Sequence, residues 1–432
     1  MAVGNLLDYY KYRGRRNASA KLVDSLNSLL RLTTIRTEHD DSVPSLTASK
    51  LKNILDSAAN GECGLQAKLI GDMIEKDSIL TAHFETRREA VLACDMALLK
   101  AGTKMYEKSQ HDEYADVWSM LQDAGFYELL SHLLDAFPQG YSAAVIDWGK
   151  GGGIINGFRP VHPTNIRFDL EGNPALQVPD EKEATPLTKW HVNQFITHYR
   201  MSKPDIPCKN GMGRNLAWLF FFKHFARKSW VRFLEKFGIP FLIARLSAAD
   251  FENTTLKNQL IAQLRTFASD GAVLTTEEGG VEAVTVAGHN NKIHEEFIRR
   301  IDECYALAIL GQVGSSLGEP GRLGNNEQQQ DVRQDRREAD CMRLMATINT
   351  QLIRPFWQYK TGSLANCPIF VMDFTPSKDK AKLAEAVWRL GQSRYRVSTE
   401  QLSYEFGLEI TEEPPEVTTP VKPVGKATDN GK

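Results

Sequence analysis

The stretch GRNLAWLFFFKHFARKSWVRFLEKFG, residues 213–238, decides the fold of this 432-residue chain. Apolar and polar residues alternate along it with the period of a helix, which predicts one amphipathic helix over 213–237. At 1.5 Å per residue, such a helix is roughly 37 Å long. Gly238 and Pro240 mark its C-terminal end. Polar residues recur along the stretch at Lys223, His224, Arg227, Lys228, Arg232, Glu235 and Lys236.

A short apolar segment, IPFLIARL at 239–246, follows this helix directly. Asp250 or Asn253 is the expected N-cap of a second helix, which ends at Gly271. The sequence therefore predicts two rods joined by a brief, apolar, non-helical connector.

Towards the N-terminus, helices alternate with short strands. Thr47 is the expected cap of a first helix, and one long helix is predicted over 64–92, where the late Arg87 and Arg88 suit the helix dipole. A further helix is predicted from Asp112 to Phe137. The segment YSAAVIDW at 141–148 predicts a strand, and the short apolar runs between Pro, Gly and Asn over 154–200 predict a β-rich patch.

Towards the C-terminus, AVLTTEEGGVEAVTV at 272–286 predicts a β-hairpin turning at Gly279-Gly280, followed by a helix over 292–310. The segment GQVGSSLGEPGRLGNN, 311–326, is a Gly-rich loop with no hydrophobic periodicity, and it leads into a long helix that reaches Trp357. Two short helices are expected between 376 and 406. The tail at 411–432 is rich in Pro and charge and is predicted to be disordered.

Composition excludes several classes of protein. The 52 Lys and Arg against 54 Asp and Glu give a net charge of -2, without the basic excess of proteins that grip duplex DNA tightly, so any contact with DNA should be weak or local. The segment GKGGG at 149–153 lacks the spacing of a phosphate loop and reads as a turn. The six cysteines form no CxxC pair, which indicates free thiols in a reducing cytoplasm and no metal site. No apolar run reaches the ~18 residues of a membrane span.

Four segments, in this order along the chain, resemble the Mu-like bacteriophage portal protein family. They are ANGECGLQAKLIGDMIEKDSILTAHFETRREAVLACDMAL at 59–98, DAFPQGYSAAVIDW at 135–148, FFFKHFARKSWVRFLEKFGIPFLIARL at 220–246 and ALAILGQVGSS at 306–316. The resemblance covers about residues 45–360. It departs from the family pattern at Val313, where Thr usually follows Gly-Gln, and at Ala144, where an acidic residue is usual.

The resemblance implies an α+β portal fold with long stem helices, a β-containing wing and a helical crown. The implied organisation along the chain is an N-terminal arm at 1–44, a wing at 45–212, stem helix 1 at 213–237, a clip connector at 238–249, stem helix 2 at 250–270, a wing hairpin and helix at 271–310, a tunnel loop at 311–326, a long helix and crown at 327–410, and a disordered tail at 411–432. The basic arm, with Lys11, Arg13, Arg15, Arg16 and Lys21, is expected to dock on a neighbouring subunit or to touch DNA.

The resemblance also implies three sets of functional residues. The stem cations expected to face the channel are Lys223, Arg227, Lys228, Arg232 and Lys236. The clip residues expected to dock partners are Ile239, Pro240, Phe241, Leu242, Ile243 and Arg245. The tunnel loop residues expected next to DNA are Gly311, Gln312, Ser315, Ser316, Gly321, Arg322, Asn325 and Asn326. Arg322 is the only cation in the sequence of this loop. Repeated around a ring, it would form a belt of positive charge that contacts phosphates without reading bases.

The function that the resemblance implies is a ring, typically of twelve subunits, which sits at one capsid vertex of the virion and is assembled in the host cytoplasm. Its implied partners are further copies of the chain, double-stranded DNA in the channel, the terminase large subunit, head-completion or adaptor proteins, and the major capsid or scaffolding protein. No cofactor, metal, membrane or catalytic residue is expected. The alternatives are a packaging nuclease or ATPase, which requires a phosphate loop or clustered acidic metal ligands, and another minor head protein, which is not expected to carry the rod–connector–rod unit.

Overall fold

The structure is a computed structural model of the chain. It describes residues 46–102, 112–149, 153–178, 183–189, 193–237, 242–246, 272–276, 289–312, 326–374, 380–393 and 397–406, together with 252–255, 258–259 and 261–262. The N-terminal arm, the C-terminal tail and most of the Gly-rich loop lie outside these ranges. The described elements mix helices with four small sheets, as the α+β prediction requires.

Three helices open the described chain: α1 (Ala48–Ala59), α2 (Gly64–Lys76) and α3 (Ser78–Leu92). Thr47 caps α1, because its side-chain oxygen accepts a hydrogen bond from the Lys50 N–H at 3.2 Å. The prediction of one long helix over 64–92 is wrong. Asp77 has an extended backbone and caps α3 by accepting the Ile79 N–H at 3.1 Å, so α2 and α3 are separate helices.

The helix predicted from Asp112 to Phe137 is also divided. A 3₁₀ turn (Asp112–Tyr114) leads into α4 (Ala115–Asp123), α5 (Phe126–Leu133) and the short α6 (Ala136–Gln139). Gly125 separates α4 from α5 with a φ of 82°, a left-handed backbone that glycine adopts at low cost.

Most of the strands follow in the region where the sequence predicts a β-rich patch. The strands are β1 (Asp95–Leu99), β2 (Tyr141–Trp148), β3 (Ile155–Val161), β4 (Ile166–Phe168), β5 (Pro174–Leu176), β6 (Thr185–Pro186) and β7 (Phe195–Tyr199). All residues of β2 are buried, and this strand is the centre of an antiparallel sheet of order β3-β2-β7. A second antiparallel sheet has the order β4-β5-β6.

The long helix α7 runs over Met212–Phe237, close to the predicted bounds. After it, strand β8 (Leu242–Leu246) pairs in parallel with β9 (Ala272–Thr276), and Leu242 lies opposite Ala272. Between the two strands, residues 254–255, 258–259 and 261–262 are helical, and Asn253 accepts the Thr255 N–H at 3.2 Å as the predicted cap. The described partner of β9 is thus the connector strand, while the predicted hairpin turn at Gly279-Gly280 lies outside the described residues.

The C-terminal part contains α8 (His289–Ile309), α9 (Asn326–Ile348), a π-helical turn (Asn349–Ile353), α10 (Arg354–Thr361), β10 (Ile369–Asp373), α11 (Lys380–Gln392) and α12 (Thr399–Phe406). Strand β10 pairs antiparallel with β1, with Leu99 opposite Ile369. The two short helices expected between 376 and 406 are present as α11 and α12.

The π turn presents two side-chain amides to the edges of two different sheets. The Gln351 side chain accepts the Thr197 N–H at 2.8 Å and donates to the Thr197 carbonyl at 2.8 Å, at the edge of β7. The Asn349 side chain accepts the Phe370 N–H at 2.7 Å and donates to the Phe370 carbonyl at 2.9 Å, at the edge of β10. Each amide therefore pairs with a strand edge as a neighbouring strand would.

One large hydrophobic core holds these elements together. It combines side chains of α1–α5 and β2 with the N-terminal half of α7, the C-terminal part of α8, and α9, and a smaller core lies beneath the β4-β5-β6 sheet. Trp148 is buried in the large core and its ring N–H donates to the Asn193 carbonyl at 2.9 Å, in line with a packing role. None of the helices in the described ranges is long and apolar enough to cross a membrane.

Candidate functional site: a helix hairpin and the anchored base of a loop

Helices α7 and α8 pack side by side and antiparallel. Near one end, the rings of Trp230 and His294 stack with centroids 6.4 Å apart, and towards the other end Lys223 of α7 contacts Asp302 and Tyr305 of α8. The described helix that pairs with α7 is therefore α8, at 289–309. The sequence analysis placed a partner helix at 250–270, most of which lies outside the described residues, so that assignment stays a prediction, and α8 is a packing partner of α7 that the sequence analysis did not predict.

Lys223 lies inside the protein, which overturns its predicted place on a channel-facing stripe. Its side chain is 0% exposed. Its ammonium donates to Asp77 Oδ1 at 3.0 Å, lies 2.7 Å from Asp77 Oδ2, and also donates to Asp302. The ammonium also lies over the Tyr305 ring, 5.0 Å from its centroid. A buried cation needs such partners, because an unpaired charge in the interior is strongly unfavourable.

This ion cluster joins three helices. Asp77 is the cap of α3, Lys223 belongs to α7, and Asp302 belongs to α8. The buried ion pairs therefore connect the antiparallel pair of helices α7 and α8, called the α7–α8 hairpin below, to α3. Burial lowers the pKa of the neighbouring His83 and raises that of Tyr305, which favours the neutral form of both side chains beside the cluster. A Lys among aromatic residues was the one local sign of this cluster in the sequence.

The other predicted stem cations differ from Lys223. Arg227, Lys228 and Arg232 are exposed on α7, and Arg227 also lies 4.0 Å from Asp77 Oδ2. Lys236 is within the helix, and its side chain lies outside the described part.

Large apolar side chains are also exposed on this hairpin. Phe225 is 63% exposed on α7 and Ile293 is 62% exposed on α8. The further exposed apolar residues of the pair are Phe222, Val231, Leu234, Phe297 and Leu307. Exposed apolar surface of this extent is typical of a site that contacts another protein.

The Gly-rich loop begins where α8 ends, and glycine is required there. Gly311 has a φ of 82°, and its N–H donates to the carbonyls of Ala306 at 3.2 Å and Leu307 at 3.1 Å, which closes the helix. A β-carbon at Gly311 would lie 2.6 Å from Arg336 Nε, so a larger residue would displace that guanidinium. The position at which the Gly-rich loop begins is therefore fixed by the end of α8 and by Arg336.

Two arginines stabilise the end of α8 at Gly311 by donating hydrogen bonds to the last carbonyls of the helix. Arg87 of α3 donates to the Ile309 carbonyl at 2.6 Å, and Arg336 of α9 donates to the carbonyls of Ala308 at 2.9 Å and Ile309 at 3.1 Å. Arg87 also donates to both carboxylate oxygens of the buried Asp340, at 2.9 and 3.2 Å. Cations suit the end of a helix, where the free carbonyls carry partial negative charge.

Arg87 and Arg88 were expected to complement their own helix dipole, and both have more specific partners. Arg87 bridges α3, α8 and α9, while Arg88 pairs with Asp135. Burial lowers the pKa of Arg336. These anchoring residues were missed by the sequence analysis, because their partners are distant in sequence.

Of the predicted tunnel loop, the structure describes only the two ends. Gln312 is buried beside Gly311, and Asn326 is the first residue of α9. Ser315, Ser316, Gly321, Arg322 and Asn325 lie outside the described residues. Of the predicted docking residues, Leu242, Ile243 and Arg245 belong to β8, and Ile239, Pro240 and Phe241 lie outside the described part.

The described residues show no metal site: no three His, Cys, Asp or Glu side chains within those ranges come together in a way that could hold an ion. The six cysteines are free thiols.

Comparisons with known proteins agree on one family. The family model described as the portal protein of Mu bacteriophage matches residues 67–408. A Mu-like prophage protein of Haemophilus influenzae, FluMu protein gp29, is 25% identical over 373 residues, covering 83% of this chain and 70% of its own. The portal protein of Escherichia phage Mu is 23% identical over 367 residues, covering 82% of this chain and 69% of its own.

Among solved structures, a chain from the neck of an empty GTA particle computed with C6 symmetry shares the fold. Its TM-score is 0.52 at 15% identity, and the match covers 78% of this chain and 92% of that chain. The predicted portal fold is thus confirmed, and the chain belongs to the Mu-like portal protein family, the structural proteins of the portal vertex in tailed bacteriophages.

Proposed function

We propose that copies of this chain close into a dodecameric ring whose axial channel carries double-stranded DNA into the capsid and out again. The observation that supports the ring is the set of exposed apolar side chains on α7 and α8, with Phe225 and Ile293 nearly two-thirds exposed. A head-to-tail contact between identical subunits closes into a ring when its rotation permits. A twelvefold ring also contains the six-fold symmetry with which the matching neck particle was computed.

The channel wall in this proposal carries cations, although the chain as a whole has no basic excess. The exposed cations Arg227, Lys228 and Arg232 would face the channel, with Lys236, while Lys223 takes no part. A net charge of -2 suits a wall along which DNA slides, because tight binding requires that many phosphates be neutralised. The anchored base at Gly311 would hold one end of the tunnel loop at a fixed radius while the loop itself follows the DNA.

Assembly of the purified full-length chain tests the ring. We expect rings with a central hole in negative stain, and no ATP hydrolysis by the chain alone, since the work of packaging would be done by the terminase large subunit. Monomers or solid particles, under conditions where circular dichroism shows an intact fold, would contradict the proposal.

Arg322→Ala tests the loop. The variant should form normal rings but yield heads with less packaged or retained DNA, because the belt of positive charge around the channel is gone. Leu323→Ala, an uncharged change in the same loop at a residue outside the proposed DNA contact, serves as the control. Full heads from Arg322→Ala would rule out a role of this side chain at the DNA.

We place the docking of terminase, and later of head-completion or adaptor proteins, at the connector that contains β8, and the major capsid or scaffolding protein around the wing. A ring of Arg245→Glu subunits should assemble normally and no longer sediment with the terminase large subunit. Unchanged co-sedimentation would move the docking surface elsewhere.

A further inference from the structure

Two buried cysteines from distant parts of the chain lie side by side. The sulfurs of Cys94 and Cys341 are 3.7 Å apart, although the residues are separated by 247 positions in sequence. Cys94 is 8% exposed and Cys341 0% exposed, and both belong to the large core. The fold thus brings two free thiols together at one point.

The local backbone suits closer approach of the two sulfurs. A disulfide bond is about 2.05 Å long, so the sulfurs would have to close by roughly 1.7 Å from their present 3.7 Å. Cys341 is held inside α9, whereas Cys94 lies in the bend between α3 and β1, where its N–H donates to the Val91 carbonyl at 3.2 Å. The other contact of the Cys94 sulfur, to the Ala90 carbonyl, is 3.7 Å long and therefore weak.

The environment makes the two thiols unequal. The hydrogen bond with Cys341 lowers the pKa of Cys94, and the positive charge of Arg337 acts in the same direction against burial. The same hydrogen bond, together with burial, raises the pKa of Cys341. Because Cys94 is 8% exposed and Cys341 0% exposed, a small oxidant reaches Cys94 first, so Cys94 is suited to attack first as the thiolate and Cys341 to complete the bond.

We propose that Cys94 and Cys341 are a latent disulfide pair, which closes within each subunit when the particle leaves the reducing cytoplasm and meets a peroxide. The Cys94 thiolate attacks one oxygen of hydrogen peroxide, the O–O bond breaks, and the leaving hydroxide takes a proton to form water. The Cys341 sulfur then attacks the sulfenic sulfur of Cys94, its proton leaves with the hydroxyl group, and a second water forms. Two thiols lose two electrons in total, and one peroxide is reduced to two waters.

A disulfide between Cys94 and Cys341 would restrain α9, the helix that follows the tunnel loop. Cys341 is adjacent in sequence to Asp340, the partner of Arg87 at the loop base, so the disulfide would tie α9 covalently to the α3–β1 bend beside an existing ion pair. Closing such a long stretch of chain restricts the unfolded state and should raise the melting temperature. This inference does not depend on ring size or on DNA, since all of its groups belong to one chain.

Peptide mapping of the full-length protein tests the pair. The protein is freed of reductant, exposed to a small excess of hydrogen peroxide while folded, blocked with N-ethylmaleimide and digested without reduction. We expect the peptide that joins Cys94 to Cys341 as the main disulfide product, a melting temperature raised by a few degrees, and reversal by dithiothreitol. A peptide found only after unfolding in urea, or oxidation confined to the less buried Cys304 and Cys367, would overturn the proposal.

Single variants test the order of attack. In Cys341→Ala, Cys94 should stop at the sulfenic acid, which dimedone traps as an adduct. In Cys94→Ala, Cys341 should give little adduct, since its thiol stays protonated. Circular dichroism establishes that both variants fold, and adducts of equal yield at the two positions would refute the assignment of Cys94 as the attacking thiol.

Discussion

Lys223 and Phe225 lie two positions apart on α7, and their surroundings are opposite. Lys223 is charged and 0% exposed, whereas Phe225 is apolar and 63% exposed. The half of α7 before Lys223 contributes buried side chains to the large core, and the half after it leaves Phe225, Val231 and Leu234 exposed. The half before Lys223, the inner half, finds its core contacts within one subunit. The outer half has apolar surface that a single chain does not cover.

This difference separates two kinds of function along one helix. The buried charge fixes where the hairpin joins the body, because a buried ion pair with poor geometry is more costly than an apolar contact. The exposed apolar surface is suited to another copy of the chain. Substitutions in the two halves should therefore have different effects on folding and on assembly.

Lys223→Ala should have the largest effect on folding. It leaves Asp77 and Asp302 buried without their cation, and removal of one partner of a buried ion pair costs about 3–5 kcal/mol. Urea unfolding should show the loss as a lower midpoint. Lys228→Ala, an exposed cation on the same helix, is the matched control and should change stability by less than about 0.5 kcal/mol; equal effects of the two variants would show that the cluster does not stabilise the fold.

Arg87→Ala should be nearly as destabilising and should also disturb the loop base. It removes a bidentate partner of Asp340 and the donor to the Ile309 carbonyl, a loss of about 2–4 kcal/mol. The adjacent Arg88→Ala breaks only a half-exposed pair with Asp135 and should cost less than about 1 kcal/mol. Hydrogen exchange at the C-terminal turn of α8 should accelerate in Arg87→Ala and stay unchanged in Arg88→Ala.

His198 should make stability depend on pH. Burial lowers its pKa to about 4, whereas the unfolded chain takes up the proton at about 6.5. Between these values the unfolded state binds more protons, so stability should fall as the pH drops from about 6.5 to about 4, by about 2–3 kcal/mol from this residue. His198→Gln should flatten this part of the pH profile of the urea midpoint more than His224→Gln, a change of an exposed histidine on α7, and parallel profiles would contradict the assignment.

Phe225→Ser should have the smallest effect on folding and a large effect on assembly. An exposed side chain contributes less than about 0.5 kcal/mol to the stability of one chain, but its loss leaves a polar group in the proposed contact between subunits. Mass photometry should show fewer rings and more free subunits. Leu170→Ser, at an exposed turn between β4 and β5, is the control, and rings of normal yield from Phe225→Ser would place the contact elsewhere.

Much of the fold could be predicted from local pattern. The helix over 213–237, the fully buried strand at 141–148 and the caps at Thr47 and Asn253 follow from periodicity and side-chain chemistry, and the structure has them. The errors occurred where a single residue interrupts a helical pattern. Asp77 and Gly125 divide predicted helices, the first by capping and the second by its left-handed backbone.

The candidate site was harder to predict, because its contacts join residues far apart in the chain. Arg87 meets Asp340 across 253 positions, and Lys223 meets Asp77 across 146. Helical spacing placed Lys223 among the polar positions of α7 but could not show that carboxylates of two other helices cover it. The pairing of α7 with α8 likewise depends on the path of the chain through 238–288, which local pattern does not determine.

The number of residues in the π-helical turn at Asn349–Ile353 is itself a structural requirement. Each residue of a helix rotates the direction of the next side chain by about 100°, so the wide turn sets the angle at which Asn349 and Gln351 meet their two strands. Loss or gain of one codon there would turn one amide away from its strand, even if every remaining residue were unchanged. Evolution should therefore tolerate substitutions in this segment more readily than insertions or deletions.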